Sequence, residues 1–403
     1  MTNPFTWSFH SAGNIVFGCG SVSQVGTFAH KYTARKVLLV TDELLAASGI
    51  INKVIESLSE YISEVKVYSE SQPEPSLQLV EDCLSFADKV RPDLIIGLGG
   101  GSNMDLAKVV ALRLTFGGDT HKYLGEDRVP GPIMPVFCIP TTAGSGSEVT
   151  GSAVLTDTKN HIKVAMLSNF LRPLLALVDP ELSVSCPPKV TSESGIDALV
   201  HSIEAYTAVE YNKVSKKNFE QTLFPGRNPM GKLFAAEGIK QAGKYLVRAV
   251  NNPNDIEART GMGFAALMGG LAFSNVCVAL VHAMEYPLGG LVKCSHGQGN
   301  GILLPYVMKF NAPTRRLEFA NIARFLGENI KNLTKEEAAK RAINAVVNLK
   351  TEIGIPTTLK DIGVKSDDIP FLSQKAFEIK RLLRFNPRVV RKSDIISIYK
   401  EAL

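Results

Sequence analysis

The chain has 403 residues, 45% of them hydrophobic and 21% charged, so it carries enough apolar material for two ordinary hydrophobic cores. Its 33 glycines and 21 prolines are spread along the sequence, which excludes collagen, a coiled coil and a long disordered tail. The formal net charge is only +5, and no five-residue block of one sign occurs, which argues against a nucleic-acid partner. We expect a globular chain of two domains.

Cysteine usage and hydropathy bear on the cellular location. The 6 cysteines show no C-x-x-C spacing, which favours a reducing, cytoplasmic location without disulfides or thiolate zinc sites. The first residues show no basic segment followed by an apolar core, so no export signal is predicted. The most apolar stretch, residues 263–281, is interrupted by Ser274 and Asn275, which favours a buried core helix over a membrane span.

The first half of the chain alternates short apolar runs with helix-length segments, a pattern typical of a parallel sheet covered by helices on both faces. The predicted strands are residues 37–42, 65–70, 94–100, 135–142 and 175–180. The predicted helices between them are residues 44–60, 77–89 and 104–114. We therefore predict an α/β domain over residues 1–187, with a parallel, doubly wound, dinucleotide-binding sheet.

The second half loses the strand pattern, and a 3.6-residue periodicity predicts an all-helical domain over residues 188–403. Residues 210–232 are polar, with Pro and Gly, and are predicted to form a surface insertion. The predicted helices are residues 192–207, 232–250, 256–280, 315–326 and 335–352.

A glycine-rich turn follows the third predicted strand, in the segment LIIGLGGGS. The backbone amides of Gly99, Gly100 and Gly101 can approach a phosphate closely, and the helix N-terminus behind them adds partial positive charge. Ser102 stands where G-x-G-x-x-G requires its third glycine, and such turns are also common as purely structural features. A second loop, PTTAGSGSEVT at residues 140–150, follows another predicted strand, so we expect both loops at one crevice.

Asp42 closes the first strong strand, where a carboxylate can accept hydrogen bonds from an adenosine ribose and repel a 2′-phosphate. That role favours NAD over NADP. The alternative role is an N-cap of the following helix, and the residue type supports both interpretations equally.

Four residues of the helical half suit a metal ion. Asp197 and His201 are spaced i and i+4, so they lie on one helix face and can hold one divalent cation. His282 and His296 are too far apart to share that cation if one helix joins them. Pro287, with Gly289 and Gly290, is predicted to break that helix and let His296 fold back. A single histidine on an apolar helix is usually a core residue, but three imidazoles with a carboxylate suit Fe²⁺ or Zn²⁺.

Over nearly its whole length the sequence resembles the iron-containing (group III) alcohol dehydrogenases. The matching stretches include VTDE, GGGSNMDLAK, PTTAGSGSEVT, SGIDALVHSIEAYT, HAMEYPLGG and HGQGNGILLPYVMKFN. The resemblance implies NAD(P)-linked oxidation of alcohols, or reduction of aldehydes, in a cleft between an α/β domain and a helical metal-binding domain. It places the metal on Asp197, His201, His282 and His296. The expected cofactor-binding residues are Asp42, Gly99, Gly100, Gly101, Ser102, Asp105, Thr141, Thr142, Ser147 and Lys163.

One departure from the family concerns the proton. Many members read H-x-M-x-H, with the second histidine often proposed as a relay, whereas this chain has Tyr286 there. We expect His282 and Tyr286 to be catalytic, with the proton leaving through Tyr286, the ribose hydroxyls or water. The Tyr-Pro pair, the LVK after it and the insertion ending in PGRNPM resemble the hydroxyacid-oxoacid transhydrogenase branch of the family.

Three functional hypotheses follow. The first is a dehydrogenase that turns over free NAD with Fe²⁺, or alternatively Zn²⁺. The second is a transhydrogenase with tightly held cofactor, in which Lys293, helped by Arg388, pairs with a hydroxy-acid carboxylate unless it is simply a solvated lysine. The third is a non-enzymatic dinucleotide sensor, which has no need of four metal ligands. The expected partners are a small alcohol, aldehyde or hydroxy acid and further copies of the chain (a homodimer or higher homo-oligomer), but neither nucleic acid nor a membrane.

Overall fold

The computed structural model describes residues 6–160, 162–214 and 223–403, and it divides into two units. The α/β unit is His10–Ser185, and the helical unit begins at Cys186 and runs to Leu403. The described residues 6–9 belong with the helical unit.

The α/β unit is built on nine strands among the described residues. They are β1 (Asn14–Phe17), β2 (Lys36–Val40), β3 (Glu64–Tyr68), β4 (Leu94–Gly99), β5 (Gly125–Glu126), β6 (Val136–Pro140), β7 (Ser152–Asp157), β8 (Ile162–Leu167) and β9 (Leu175–Val178). Six of them form a parallel sheet in the order β1-β9-β6-β4-β2-β3. Leu38 and Leu39, neighbours on β2, belong to two different hydrophobic cores, so both faces of the sheet are covered. The predicted doubly wound sheet is confirmed.

Helices connect these strands, with two differences from the prediction. The helices are α1 (Val25–Lys31), α2 (Glu43–Ala47), α3 (Ile50–Ser59), α4 (Leu77–Val90) and α5 (Gly101–Phe116). The single helix predicted over residues 44–60 is wrong, because Gly49 has φ +81 and separates α2 from α3. A second sheet, in the order β5-β8-β7, was not predicted, since β5 has only 2 residues and both β7 and β8 are partly exposed.

The helical unit contains ten helices in the described residues. They are α6 (Pro188–Thr207), α7 (Pro229–Asn251), α8 (Ile256–Val276), α9 (Leu280–Val292), α10 (His296–Asn311), α11 (Arg316–Phe325), α12 (Lys335–Glu352), α13 (Ile369–Glu378), α14 (Lys380–Leu383) and α15 (Lys392–Ala402). The helical C-terminal half is confirmed.

Two predicted details of the apolar helices are wrong. The stretch 263–281 is not one helix, because Cys277 takes φ +98 and ends α8 before α9 begins. Pro287, Gly289 and Gly290 do not break α9, which continues to Val292 and buries Met284 and Leu288. Among the described residues no single helix is long and apolar enough to span a membrane, although α8 and α9, bent by 103°, satisfy that test as a pair.

The polar stretch after α6 is only partly on the surface. Residues 215–222 lie outside the described part of the chain, but Leu223 and Phe224 are buried, so the predicted surface position is wrong for this end. The buried Arg227 donates to the Tyr206 carbonyl and pairs with Glu210. Arg315 donates to the carbonyls of Thr207 and Ala208 and also pairs with Glu210. The two guanidinium groups thus satisfy carbonyls at the C-terminal end of α6 and place positive charge where the helix dipole favours it.

Candidate functional site

Four side chains of the helical unit bring one nitrogen or oxygen each to a common point. The ligand atoms of Asp197, His201, His282 and His296 all lie within 4.8 Å of one another. The Nε2 atom of His201 lies 3.7 Å from Asp197 Oδ2, and those of His282 and His296 each lie 3.9 Å from Asp197 Oδ1. A tetrahedral ion with ligand bonds of about 2.1 Å separates its ligands by about 3.4 Å, so this cluster has nearly the spacing of a coordination sphere.

Three helices position these ligands. Asp197 and His201 lie one turn apart on α6, and the His201 ring stacks on Phe273 with 4.2 Å between centroids. His282 is near the beginning of α9, and His296 is the first residue of α10. The chain reverses between α9 and α10 at Lys293, which has φ +52, so the predicted return of His296 occurs at the end of α9 rather than at Pro287.

Two buried glutamates that the sequence analysis missed contact the imidazoles. Glu204 Oε2 lies 2.7 Å from Nδ1 of His282, and Glu285 Oε2 accepts from Nδ1 of His296. A carboxylate at Nδ1 fixes the proton there and leaves the Nε2 lone pair facing the cluster. The available signal was the spacing H-x-x-E, which occurs after both His201 and His282.

The Asp197 carboxyl is ionised. Burial raises its pKa, but positive charge on the imidazoles of His201, His296 and His282 and a hydrogen bond from Asn300 outweigh burial and lower it to about 2. Asn300 Nδ2 lies 2.8 Å from Asp197 Oδ1 and 3.2 Å from His296 Nε2, while its Oδ1 is buried without a hydrogen-bond partner in the described chain. Three oriented nitrogens and one ionised carboxylate fit a divalent transition metal such as Fe²⁺ or Zn²⁺.

The helical unit holds three further predicted site residues, Tyr286, Lys293 and Arg388. Tyr286 is half-buried, with its ring centroid 6.0 Å from that of His296. Lys293 is exposed and ends α9. Arg388 donates to the Phe310 carbonyl and covers the Phe310 ring, so its guanidinium is already engaged by α10.

In the α/β unit the glycine-rich turn lies between β4 and α5, as predicted. Gly99 has φ +139, and a Cβ on Gly99 would lie 2.0 Å from Asn103 Nδ2. A Cβ on Gly101 would lie 2.9 Å from the Ser145 side chain in the second loop. No described side chain caps α5 at Gly100, so its first amides are presented by a bare backbone, as a phosphate site requires.

Asp42 lies directly after β2, at the point where the strand order reverses: the chain goes from β2 to β3 on one side, and β4 lies on the other side. Its Oδ1 accepts from the Leu45 amide, which makes it the N-cap of α2. Its Oδ2 accepts from Nδ2 of Asn103 on α5 at 2.8 Å. The capping role is confirmed, and the carboxylate stands at the edge where open α/β sheets bind ligands.

Asp105 and Ser147 form part of a buried support beneath the loops. Ser147 Oγ donates to Asp105 Oδ1 at 2.6 Å, and the Val154 amide donates to Asp105 Oδ2. Lys108, which the sequence analysis missed, is fully buried and donates to both oxygens of Ser147, at 2.7 and 2.8 Å. It also lies within hydrogen-bond distance of Thr150. Because these side chains hydrogen-bond to one another, they stabilise the conformation of the second loop, residues 140–150.

The remaining predicted cofactor residues surround the same turn. Ser102 Oγ accepts a hydrogen bond from the Glu74 amide. Lys163 lies in strand β8, and its Nζ is 2.7 Å from the Glu74 carboxylate. The Thr141 amide donates to the Gly99 carbonyl, and a Cβ on Gly100 would lie 3.7 Å from Thr142 Oγ1. The α/β unit therefore brings both predicted loops together.

Comparison with known proteins identifies the family of the chain. Residues 12–180 match the family described as iron-containing alcohol dehydrogenase, and residues 191–403 match the C-terminal part of the Fe-containing alcohol dehydrogenase family. The chain belongs to the iron-containing alcohol dehydrogenase family. It is therefore an oxidoreductase, which excludes the non-enzymatic sensor.

Several members are similar over almost the whole chain. The NAD-dependent methanol dehydrogenase of Bacillus methanolicus is 37% identical over 388 residues, 96% of this chain and 97% of that protein. A solved 1,3-propanediol oxidoreductase has a TM-score of 0.92 and 33% identity, covering 99% of this chain and 100% of that one. The mitochondrial hydroxyacid-oxoacid transhydrogenase of Rattus norvegicus is 31% identical over 418 residues, 98% of this chain and 89% of that protein.

Proposed function

We propose that the protein is an Fe²⁺-dependent, NAD-linked dehydrogenase of small alcohols, which also reduces the corresponding aldehydes. The observation that carries this proposal is the convergence of three carboxylate- or ring-supported imidazoles on the Asp197 carboxylate, within 4.8 Å. The names of the methanol and propanediol enzymes support the substrate class, and the name of the methanol enzyme supports NAD.

The proposed reaction requires a metal site and a cofactor site, and different residues form each. When bound, the metal supplies a Lewis acid for the substrate oxygen, and the nicotinamide accepts or returns the hydride. Asp197, His201, His282 and His296 hold the metal. The bare amides at the start of α5 bind the dinucleotide phosphates, with the surrounding loops bordered by Thr141, Thr142, Ser147 and Lys163.

Two side chains have more specific proposed roles. The Asp42 carboxylate accepts the ribose hydroxyls and disfavours a 2′-phosphate, which makes NAD the preferred cofactor. The Tyr286 hydroxyl, on a half-buried ring beside His296, carries the substrate proton towards solvent. The expected cytoplasmic location and homodimer or higher homo-oligomer stay predictions, which cell fractionation and light scattering test.

A metal and cofactor assay tests the proposal. The purified chain is depleted of metal, reloaded with Fe²⁺ or Zn²⁺, and assayed with 1-butanol and with 4-hydroxybutyrate, with and without added NAD. We expect turnover only with metal, only with added NAD, and at least as fast with 1-butanol as with the acid.

The same assay separates the alternatives. Nicotinamide that stays bound through gel filtration, with hydride passing from 4-hydroxybutyrate to an oxo acid without added NAD, establishes the transhydrogenase instead. Full alcohol oxidation by metal-free protein contradicts both functions.

A further inference from the structure

A histidine followed at i+3 by a glutamate occurs twice in the helical unit, and each glutamate contacts the next imidazole of the cluster. His201 is followed at i+3 by Glu204, and His282 is followed at i+3 by Glu285. Each glutamate contacts the next histidine along the chain: Glu204 holds His282, and Glu285 holds His296. A metal ligand and the carboxylate that orients the following ligand therefore come from the same helix.

The two glutamates differ in what else they hold. Glu204 also accepts hydrogen bonds from the backbone amides of Ala279 and Val281, at 2.9 and 2.7 Å, and so satisfies the N-terminal end of α9. Glu285 accepts a hydrogen bond from His296 Nδ1. Its side chain is fully buried, and the packing is close, since a Cβ on Gly299 would lie 2.9 Å from Glu285 Cγ.

His296 is the ligand that most needs such support. Its side chain is 33% exposed, whereas those of the other three ligands are between 3% and 8% exposed. An imidazole in contact with water can rotate and exchange its Nδ1 partner, which lowers the fraction of time that Nε2 faces the cluster. A buried carboxylate at Nδ1 removes that freedom from the α10 side of the site.

We propose that Glu285 is a positioning residue for the metal ligand His296. Its carboxylate accepts the Nδ1 proton, directs Nε2 towards the other three ligands, and thereby sets the affinity of the centre for its cation. This inference rests on the metal centre of the proposed function. It assigns a role to the residue that precedes Tyr286, at a position outside the four predicted ligands.

Metal binding to the whole chain tests the proposal without any assay of turnover. Apo-protein is titrated with Co²⁺ and Zn²⁺ in competition with a chelating dye, for the wild type and for Glu285→Gln, and the visible spectrum of the Co²⁺ form is recorded. We expect the Glu285→Gln dissociation constants to rise on the order of 10- to 100-fold, with a changed Co²⁺ spectrum. The matched control is Glu148→Gln, which makes the same change at a buried carboxyl of the α/β unit, where none of the four ligands lies.

The outcomes are distinct. Glu148→Gln should keep the wild-type dissociation constants and spectrum. Wild-type affinity and spectrum in Glu285→Gln, or an equal loss of affinity in Glu148→Gln, overturns the positioning role while one ion still binds per wild-type chain. A wild-type chain that binds no ion at all overturns the proposed function itself.

A second measurement needs no variant at position 285, in case Glu285→Gln does not fold. Zn²⁺-loaded wild-type protein labelled with ¹⁵N-histidine is examined by NMR, and the His296 signals are assigned by their loss in His296→Gln. The proposal predicts a His296 Nδ1 proton that exchanges slowly with water, because the buried Glu285 carboxylate accepts it. An Nδ1 proton that exchanges as fast as that of a solvated imidazole contradicts it.

Discussion

The candidate metal cluster is built from side chains, whereas the glycine-rich turn presents backbone amides. The cluster is made of side chains that carry their own chemistry, and each imidazole is fixed by a neighbour such as Glu204 or Phe273. The turn offers backbone amides, while the polar side chains beneath it, Lys108 and Asp105, bind other parts of the loops. A side-chain site is therefore recognisable from residue types and spacing, whereas a backbone site depends on buried groups whose roles only the fold reveals.

We expect the largest loss of activity when one of the four candidate metal ligands is replaced. Replacing His282 by Ala removes one of three nitrogens, so we expect metal content to fall and turnover to drop on the order of a thousandfold, since metal catalysis supplies several kcal/mol. Metal analysis and steady-state rates check this result, with circular dichroism to establish that the fold persists. Full activity in a metal-free His282→Ala variant would contradict the site.

A substitution of Lys108 tests the buried side chains that support the loops of the α/β unit. Lys108→Met leaves the half-buried Asp105 without its cation, so the free energy of unfolding should fall by about 3 kcal/mol. Metal affinity should be unchanged, because the ligands all lie in the helical unit. Urea unfolding measures the loss, with Lys89→Met at an exposed position of α4 as the control. A loss no larger than the control's would show that the loops do not depend on Lys108.

A pH dependence is expected in the same loop. Burial raises the pKa of the Glu148 carboxyl from 4.5 to about 7, against the smaller lowering effects of its own backbone amide and of Lys108. Between these two values the native state holds the proton more tightly than the unfolded state, so stability should fall as pH rises, by about 3 kcal/mol in all. Glu148→Gln should flatten this part of the profile of unfolding free energy against pH. Parallel profiles for the two proteins would contradict the buried carboxyl.

The smallest expected change in stability is at Asp42, where two substitutions separate its two roles. Asp42→Ser retains a cap for α2, whereas Asp42→Ala should cost about 1 kcal/mol. Both remove the charge, so the ratio of NADPH to NADH use should rise roughly tenfold to a hundredfold in each. Steady-state rates with the two cofactors decide the matter. An unchanged ratio would leave Asp42 as a helix cap alone.

These contrasts also explain what the sequence could and could not reveal. The parallel sheet followed from continuous apolar strands such as β4. The first two members of the candidate metal cluster followed from the i, i+4 spacing of Asp197 and His201. The break at Cys277 was not predictable, because φ +98 at a non-glycine residue depends on tertiary packing. Lys108 was missed because a lysine in an amphipathic helix is usually solvated, and its burial depends on acceptors some 40 residues later in the chain.

X-ray absorption at the metal edge of the reloaded protein tests the central claim most directly. The account predicts one ion per chain, with the multiple-scattering signal of three imidazoles and a nearest shell of nitrogen and oxygen at about 2.0 to 2.2 Å. The His282→Ala variant serves as the reference in which the imidazole signal is lost with the ion. A bound ion whose spectrum lacks imidazole scattering, or one retained unchanged in His282→Ala, would contradict the account.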